Sequence, residues 1–168
     1  ADDRPDRPWI PGGAARIRGR LGDSARFYGQ ARRAFAGTDD DFARAYADCG
    51  LANALRQQGR LKEAESLYRS AHELYSRIED GADLAYVDWG LGKIHLQRGE
   101  FAAARPRLNR ALAAFLKHSE ARGIVLSELA LAQLGHAQGK TGEAERLFAS
   151  AVARARRAGI HTHLEAFT

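Results

Sequence analysis

The sequence predicts an all-α fold, a solenoid of antiparallel helical hairpins, and three observations carry the prediction. The first is a repeat at a fixed offset of 40. With Gly59, Gly99 and Gly139 aligned, Leu51, Leu91 and Leu131 fall together, as do Ala64, Ala104 and Ala144, and then Ala71, Ala111 and Ala151. The second is helical spacing of apolar residues that runs into a Gln-rich or basic turn closed by glycine, with another helical run two residues later, so that each unit is two helices. The glycine supplies the left-handed backbone that a tight turn needs. The third is size: Ala52, Gly92 and Ala132 are all small, while Tyr68, Leu108 and Phe148 are all bulky. Small residues at fixed places let helices approach closely, as stacking hairpins of one shape requires.

Taken in order, residues 1–13 (ADDRPDRPWIPGG) form an extended lead-in, because Pro5, Pro8 and Pro11 forbid a helix. Its Trp9 and Ile10 are expected to pack as a plug on the first helices. The solenoid is assigned to 14–168. Residues 14–38 are a half-unit, since Gly19, Leu21, Tyr28 and Ala31 precede Gly59, Leu61, Tyr68 and Ala71 by 40. The repeat over 39–79 opens on an N-cap and acidic residues, Thr38 to Asp41, and predicts helices at 40–58 and 61–78. Asp80 opens 80–118, with helices at 82–98 and 101–117. Ser119 and Glu120 open 119–159, with helices at 120–138 and 141–158. Arg77, Lys117 and Arg157 recur in the last turns, where cations complement the helix dipole. Pro106, beyond the first turn of its helix, predicts a bend. In the tail, 160–168, Ile160, Leu164 and Phe167 keep helical spacing, as the opening of a further first helix able to cap the last pair.

Composition narrows the function classes. The chain has 168 residues and one cysteine, so no internal disulfide is available, and a reducing, cytoplasmic setting follows. It has no methionine, which reads as a mature or excised chain. No apolar run is long enough to span a membrane. The formal charge of +5 comes with Arg in excess over Lys, in a chain rich in Ala, Leu and Gly. This is the composition of a GC-rich bacterial genome. Arg-rich stretches at both ends could serve a nucleic-acid reader. Glu65, Glu73, Glu79 and Asp80 interrupt the basic residues of the middle, however, and solvated helix faces are the favoured reading.

Catalytic and metal signals are weak, and the sequence predicts no enzyme, cofactor or metal. Gly90 to Lys93 (GLGK) lacks the strand before it and the Ser or Thr after it that a phosphate loop uses. His161 and His163 find no further ligand at convincing spacing. Cys49 has no triad partner and reads as a small helix-face residue. Asp48, Asp88 and Glu128 form an acidic ladder one turn before the core leucines. Because stacked helices lie about 10 Å apart, these acids are expected to make ion pairs or hydrogen bonds to an adjacent helix rather than acid–base chemistry.

Leu51 and Ala52, the turn at Gln58 and Gly59, Leu61, Ala64, Tyr68 and Ala71 resemble the tetratricopeptide repeat (TPR), over about residues 40–158. Two departures stand out: the period of 40 exceeds the usual ~34, and the acidic ladder occupies a column where that family often carries an aromatic. Longer units of this kind resemble those of bacterial signal-transduction regulators and animal polarity adaptors. The resemblance implies a right-handed superhelix whose first helices line a concave groove. On a helical wheel Tyr46, Cys49 and Asn53 share one stripe, as do Tyr86, Trp89 and Lys93, and then Leu129 and Gln133. The groove built from these residues is expected to bind a partner peptide or helix, with self-association through open ends as a further possibility. The family's chaperone-binding clamp needs basic residues where Cys49 and Trp89 stand; only Asn53 matches, so that ligand is not implied. Two alternatives remain open, a nucleic-acid-binding solenoid and a small-ligand sensor.

Overall fold

The computed structural model describes residues 15, 16 and 18–160. Among them are seven helices: α1 (Leu21–Phe35), α2 (Asp41–Gln57), α3 (Leu61–Arg77), α4 (Gly81–Gln97), α5 (Phe101–Lys117), α6 (Ala121–Ala137) and α7 (Thr141–Ala158). The 40-residue offset is kept by the helix starts themselves, at 21, 61, 101 and 141 for second helices and at 41, 81 and 121 for first helices. The plug residues Trp9 and Ile10, His161 and His163, and Leu164 and Phe167 of the tail lie outside the described residues. Helix contacts divide the chain at Glu79/Asp80 into two compact units. One holds α1 packed on α2 and α2 on α3; the other holds α4, α5, α6 and α7 packed in succession.

Each hairpin turn has the same hydrogen-bonded close. Gly59, Gly99 and Gly139 have φ of 79°, 74° and 73°. In each, the amide after the glycine reaches back to the helix, as Arg60 N–H does to the Leu55 carbonyl at 2.9 Å, Glu100 to His95 at 2.9 Å and Lys140 to Gly135 at 2.8 Å. Carbonyls orphaned at the helix end are thereby satisfied. The turns between hairpins place non-glycine residues in the same region, Glu79 at φ 54° and Ser119 at φ 53°. Ser119 was expected to help open the third repeat; it makes the turn instead, and Glu120 is the N-cap without a side-chain bond. Asp40 and Asp80 do cap, accepting from Ala43 N at 2.9 Å and Asp83 N at 3.1 Å. α5 continues through Pro106 to Lys117 without interruption.

The core is a file of small residues with bulky ones between them. Ala64, Ala71, Ala104, Ala111 and Ala151 are buried, and so are Tyr28, Tyr68 and Leu108. At Gly50 and Gly123 a neighbouring ring occupies the space of the missing Cβ. A Cβ at Gly50 would stand 2.1 Å from the Tyr28 ring, and one at Gly123 would stand 2.3 Å from Phe115. Alanine at either place would overpack the helix contact at a cost of about 1–3 kcal/mol.

The acidic ladder ties first helix to second. Asp48 on α2 accepts from Ser70 Oγ of α3 at 2.6 Å and from Arg32 Nε of α1 at 2.7 Å. Asp88 on α4 accepts from Arg107 Nη1 and Arg110 Nε of α5, both at 2.9 Å. Glu128 on α6 accepts from Ser150 Oγ of α7 at 3.0 Å, with Arg154 Nη2 at 3.5 Å. Ser70, Arg110 and Ser150 are themselves spaced by 40, so one inter-helix link recurs in all three hairpins.

Candidate functional site

The stripe residues divide between the two units. In the first unit Tyr46 is half-buried among aromatics, its ring 6.3 Å from Tyr28 and 6.1 Å from Phe42, whose own ring meets Tyr75 at 6.1 Å. Burial, followed by the neighbouring Tyr46, pushes the Tyr28 phenol above its ordinary range. Cys49 is buried and receives Asn53 Nδ2 at 3.9 Å, while Asn53 Oδ1 accepts from Tyr68 OH at 2.7 Å. Asn53 is thus oriented by its own hairpin. Desolvation raises the Tyr68 hydroxyl to about 12, so it stays protonated and can donate that bond.

In the second unit the residues converge more closely. Trp89 is only 4% exposed and its Nε1–H donates to the Leu126 carbonyl at 3.1 Å, linking the first helices α4 and α6. Lys93, one turn on, is also buried; its Nζ donates to Gln133 Oε1 at 2.7 Å and stands 5.9 Å from the Trp89 ring centroid. Lys93 and Gln133 are equivalents one period apart, so the link joins like positions of successive first helices. Gln133 is exposed, whereas Leu129 is buried. Tyr86 donates to Glu120 Oε1 at 3.1 Å and packs edge-on against Phe115 at 4.6 Å. Its phenol is raised above the ordinary value by burial, with Arg122 opposing and Glu120 adding to the shift.

Beside Tyr86 lie three carboxylates from two helix N-termini. Asp83 is pushed up to about 6 by burial first, then by Asp80, which shares a hydrogen bond with it, and by Glu120. This group and the Lys93–Gln133 link were not foreseen. The sequence presents Asp80 and Glu120 only as helix openers and gives Asp83 no role, and the wheel that places Lys93 and Gln133 on one stripe carries no distance between them.

GLGK lies in the middle of α4, where a Cβ at Gly92 would meet Leu108 at 2.7 Å, so this glycine serves packing. Among the described residues no group of three or more His, Cys, Asp or Glu could hold a metal ion, and no helix is long and apolar enough to cross a membrane.

A family profile described as "MalT-like TPR region" matches residues 8–167. No curated protein matches the chain. Solved structures do. BtubC (BKLC) from P. vanneervenii superposes with a TM-score of 0.70 at 23% identity, over 92% of this chain and 64% of that one. Aspartyl phosphate phosphatase F from Bacillus subtilis gives 0.76 at 14% identity, over 95% and 42%. A Rap protein complexed with competence and sporulation factor gives 0.79 at 17% identity, over 89% and 42%. At these identities the likeness shows a shared helical-repeat fold. This chain spans less than two thirds of the length of each.

Proposed function

The chain belongs to the MalT-like TPR region family, and from that premise we propose that it is a protein-interaction module that binds a partner peptide or helix along the stripe of its first helices. It acts by binding rather than by catalysis, as part of a bacterial regulator or adaptor in the cytoplasm. The observation that carries the reading is the Lys93–Gln133 link over the Trp89 ring: a cation and an exposed amide held at equivalent places on successive first helices, backed by a rigid aromatic. Gln133 presents the exposed end of this link to an extended or helical ligand, while the buried Lys93 and Trp89 hold it in place. A protein of the same fold, the Rap protein, forms a complex with competence and sporulation factor, which supports a binding role for this fold. In this reading Tyr46, Cys49 and Asn53 form or back the contact surface of the first unit, and Tyr86, Trp89, Lys93, Leu129 and Gln133 that of the second. Trp89 contributes from beneath, by fixing Lys93 and the α4–α6 spacing.

Affinity capture with the whole chain, followed by mass spectrometry, tests this. Gln133→Glu keeps an acceptor for Lys93 but changes the charge presented, and it should reduce recovery of the captured partner at least about fivefold. Ser66→Asp, on the exposed face of α3, should leave recovery unchanged. Equal recovery by all three proteins would oppose a first-helix site.

A further inference from the structure

In the second unit the first helices α4 and α6 are tied together at their N-terminal ends, and the repeat shows where that tie comes from. The N-cap acids of the three repeats, Asp40, Asp80 and Glu120, share one column. Asp40 and Asp80 accept from the amide three residues on, at Ala43 and Asp83. Glu120 does not: α6 has no side-chain cap bond, and the carboxylate turns instead to the Tyr86 hydroxyl of α4 at 3.1 Å. An acid in this column can close its own helix or hold the preceding first helix, and Glu120 does the second.

The position three beyond the cap is Ala43 in the first repeat and Gly123 in the third, but Asp83 in the second. Asp83 thus places a carboxyl between two others, sharing a hydrogen bond with Asp80 on its own helix and facing the charge of Glu120 on α6. Burial and these two acids favour its neutral form, which can donate to Asp80. Within the second unit the other titratable or charged groups at this end are Tyr86 itself, Arg122 of α6, which acts on the Tyr86 phenol, and His118, the C-cap of α5, whose Nε2 would stand 2.8 Å from a Cβ at Gly81. When Asp83 ionises, three anions share one end of the helix pair. Glu120 is the one with another place to go, because the first amides of α6 have no side-chain acceptor and attract negative charge. We propose that deprotonation of Asp83 switches Glu120 from Tyr86 to the N-terminus of α6, so that the tie between α4 and α6 is closed in mild acid and open at neutral pH, releasing Tyr86 into the first-helix stripe. This regulation rests on the reading of that stripe as the binding surface, and it makes the surface pH-sensitive through one of its own residues.

Carbon-13 NMR of the tyrosine Cζ atoms, with Tyr86 assigned by Tyr86→Phe, follows the tie in the full chain without any partner. The Tyr86 resonance should shift with a midpoint of about pH 6. Asp83→Asn, neutral at every pH, should remove the inflection and hold Tyr86 at its low-pH position. Glu120→Gln keeps an acceptor for Tyr86 but is not repelled by ionised Asp83, so the amplitude should fall at least about twofold. His118→Gln should leave the midpoint unchanged. A Tyr86 resonance that does not titrate in this range, an inflection that survives Asp83→Asn, or one that disappears in His118→Gln would overturn the switch. Because no partner enters the measurement, any of these results would leave the stripe itself standing; failure of the stripe would show instead as equal partner capture by the unaltered chain and Gln133→Glu.

Discussion

Asp88→Asn removes one charge and almost no volume from the inter-helix link of the second unit. Asp88 is 8% exposed and accepts three N–H bonds, from Arg107 Nη1 at 2.9 Å and from Arg110 Nε and Nη2 at 2.9 and 3.2 Å. A hydrogen bond to a charged group is worth about 1.5–3 kcal/mol when buried. The Arg110 side chain is 61% exposed and can turn to water, so its share falls toward that of a surface pair, below about 1 kcal/mol. Arg107, 29% exposed, keeps more of the full value. The expected loss is about 2 kcal/mol, read as a shift of the urea midpoint by far-ultraviolet circular dichroism. Glu128→Gln should cost less, about 1 kcal/mol, because Glu128 Oε2 is buried without a hydrogen bond and Arg154 stands at 3.5 Å. A change below about 0.5 kcal/mol for Asp88→Asn, or zero coupling between Asp88→Asn and Arg110→Ala in a double-mutant cycle, would refute the reasoning.

Trp89→Ala should lower the stability of the second unit by about 3–5 kcal/mol, because the indole fills the core and its N–H bonds Leu126; unchanged melting with weakened partner binding would assign the ring to the contact surface alone. Ser119→Gly should stabilise by about 0.5–1 kcal/mol in thermal melts, since glycine relieves a φ of 53° but gives back part of that gain through its freer unfolded chain. Asp83 has a folded-state pKa raised from 3.8 to about 6, so the protonated form is favoured by folding. Its contribution is fully present below about pH 4 and is lost as the pH rises through about 6. Asp83→Asn should therefore flatten that part of the stability profile and raise stability at neutral pH; an unchanged profile would contradict the burial assigned to this carboxyl.

Helix positions were legible because the period is a property of packing as well as of sequence. Leu61, Phe101 and Thr141 each begin a helix one period after the last, two residues beyond a glycine that accepts positive φ. The acidic ladder was legible as a class of contact, since a carboxylate one turn from core leucines has to find a donor on a neighbouring helix. One set of partners, Ser70, Arg110 and Ser150, shares a column, but the further arginines do not: Arg32, Arg107 and Arg154 occupy different columns, so no repeat points to them. The wheel placed Trp89 on the presented stripe but could not show α6 lying against it, because coverage by the next helix depends on spacing between hairpins. Phe148 shows the converse. Its column reads as core, and it is exposed because no first helix among the described residues crosses it.

The central claim, recognition along first helices, is tested most directly by hydrogen–deuterium exchange on the complex with the captured partner. Binding as proposed slows exchange in α2, α4 and α6, above all in the turns of α4 and α6 around Lys93 and Gln133, and leaves the exposed faces of α3 and α5 unchanged. Slowing confined to α3 and α5, with none in α4 and α6, would contradict it.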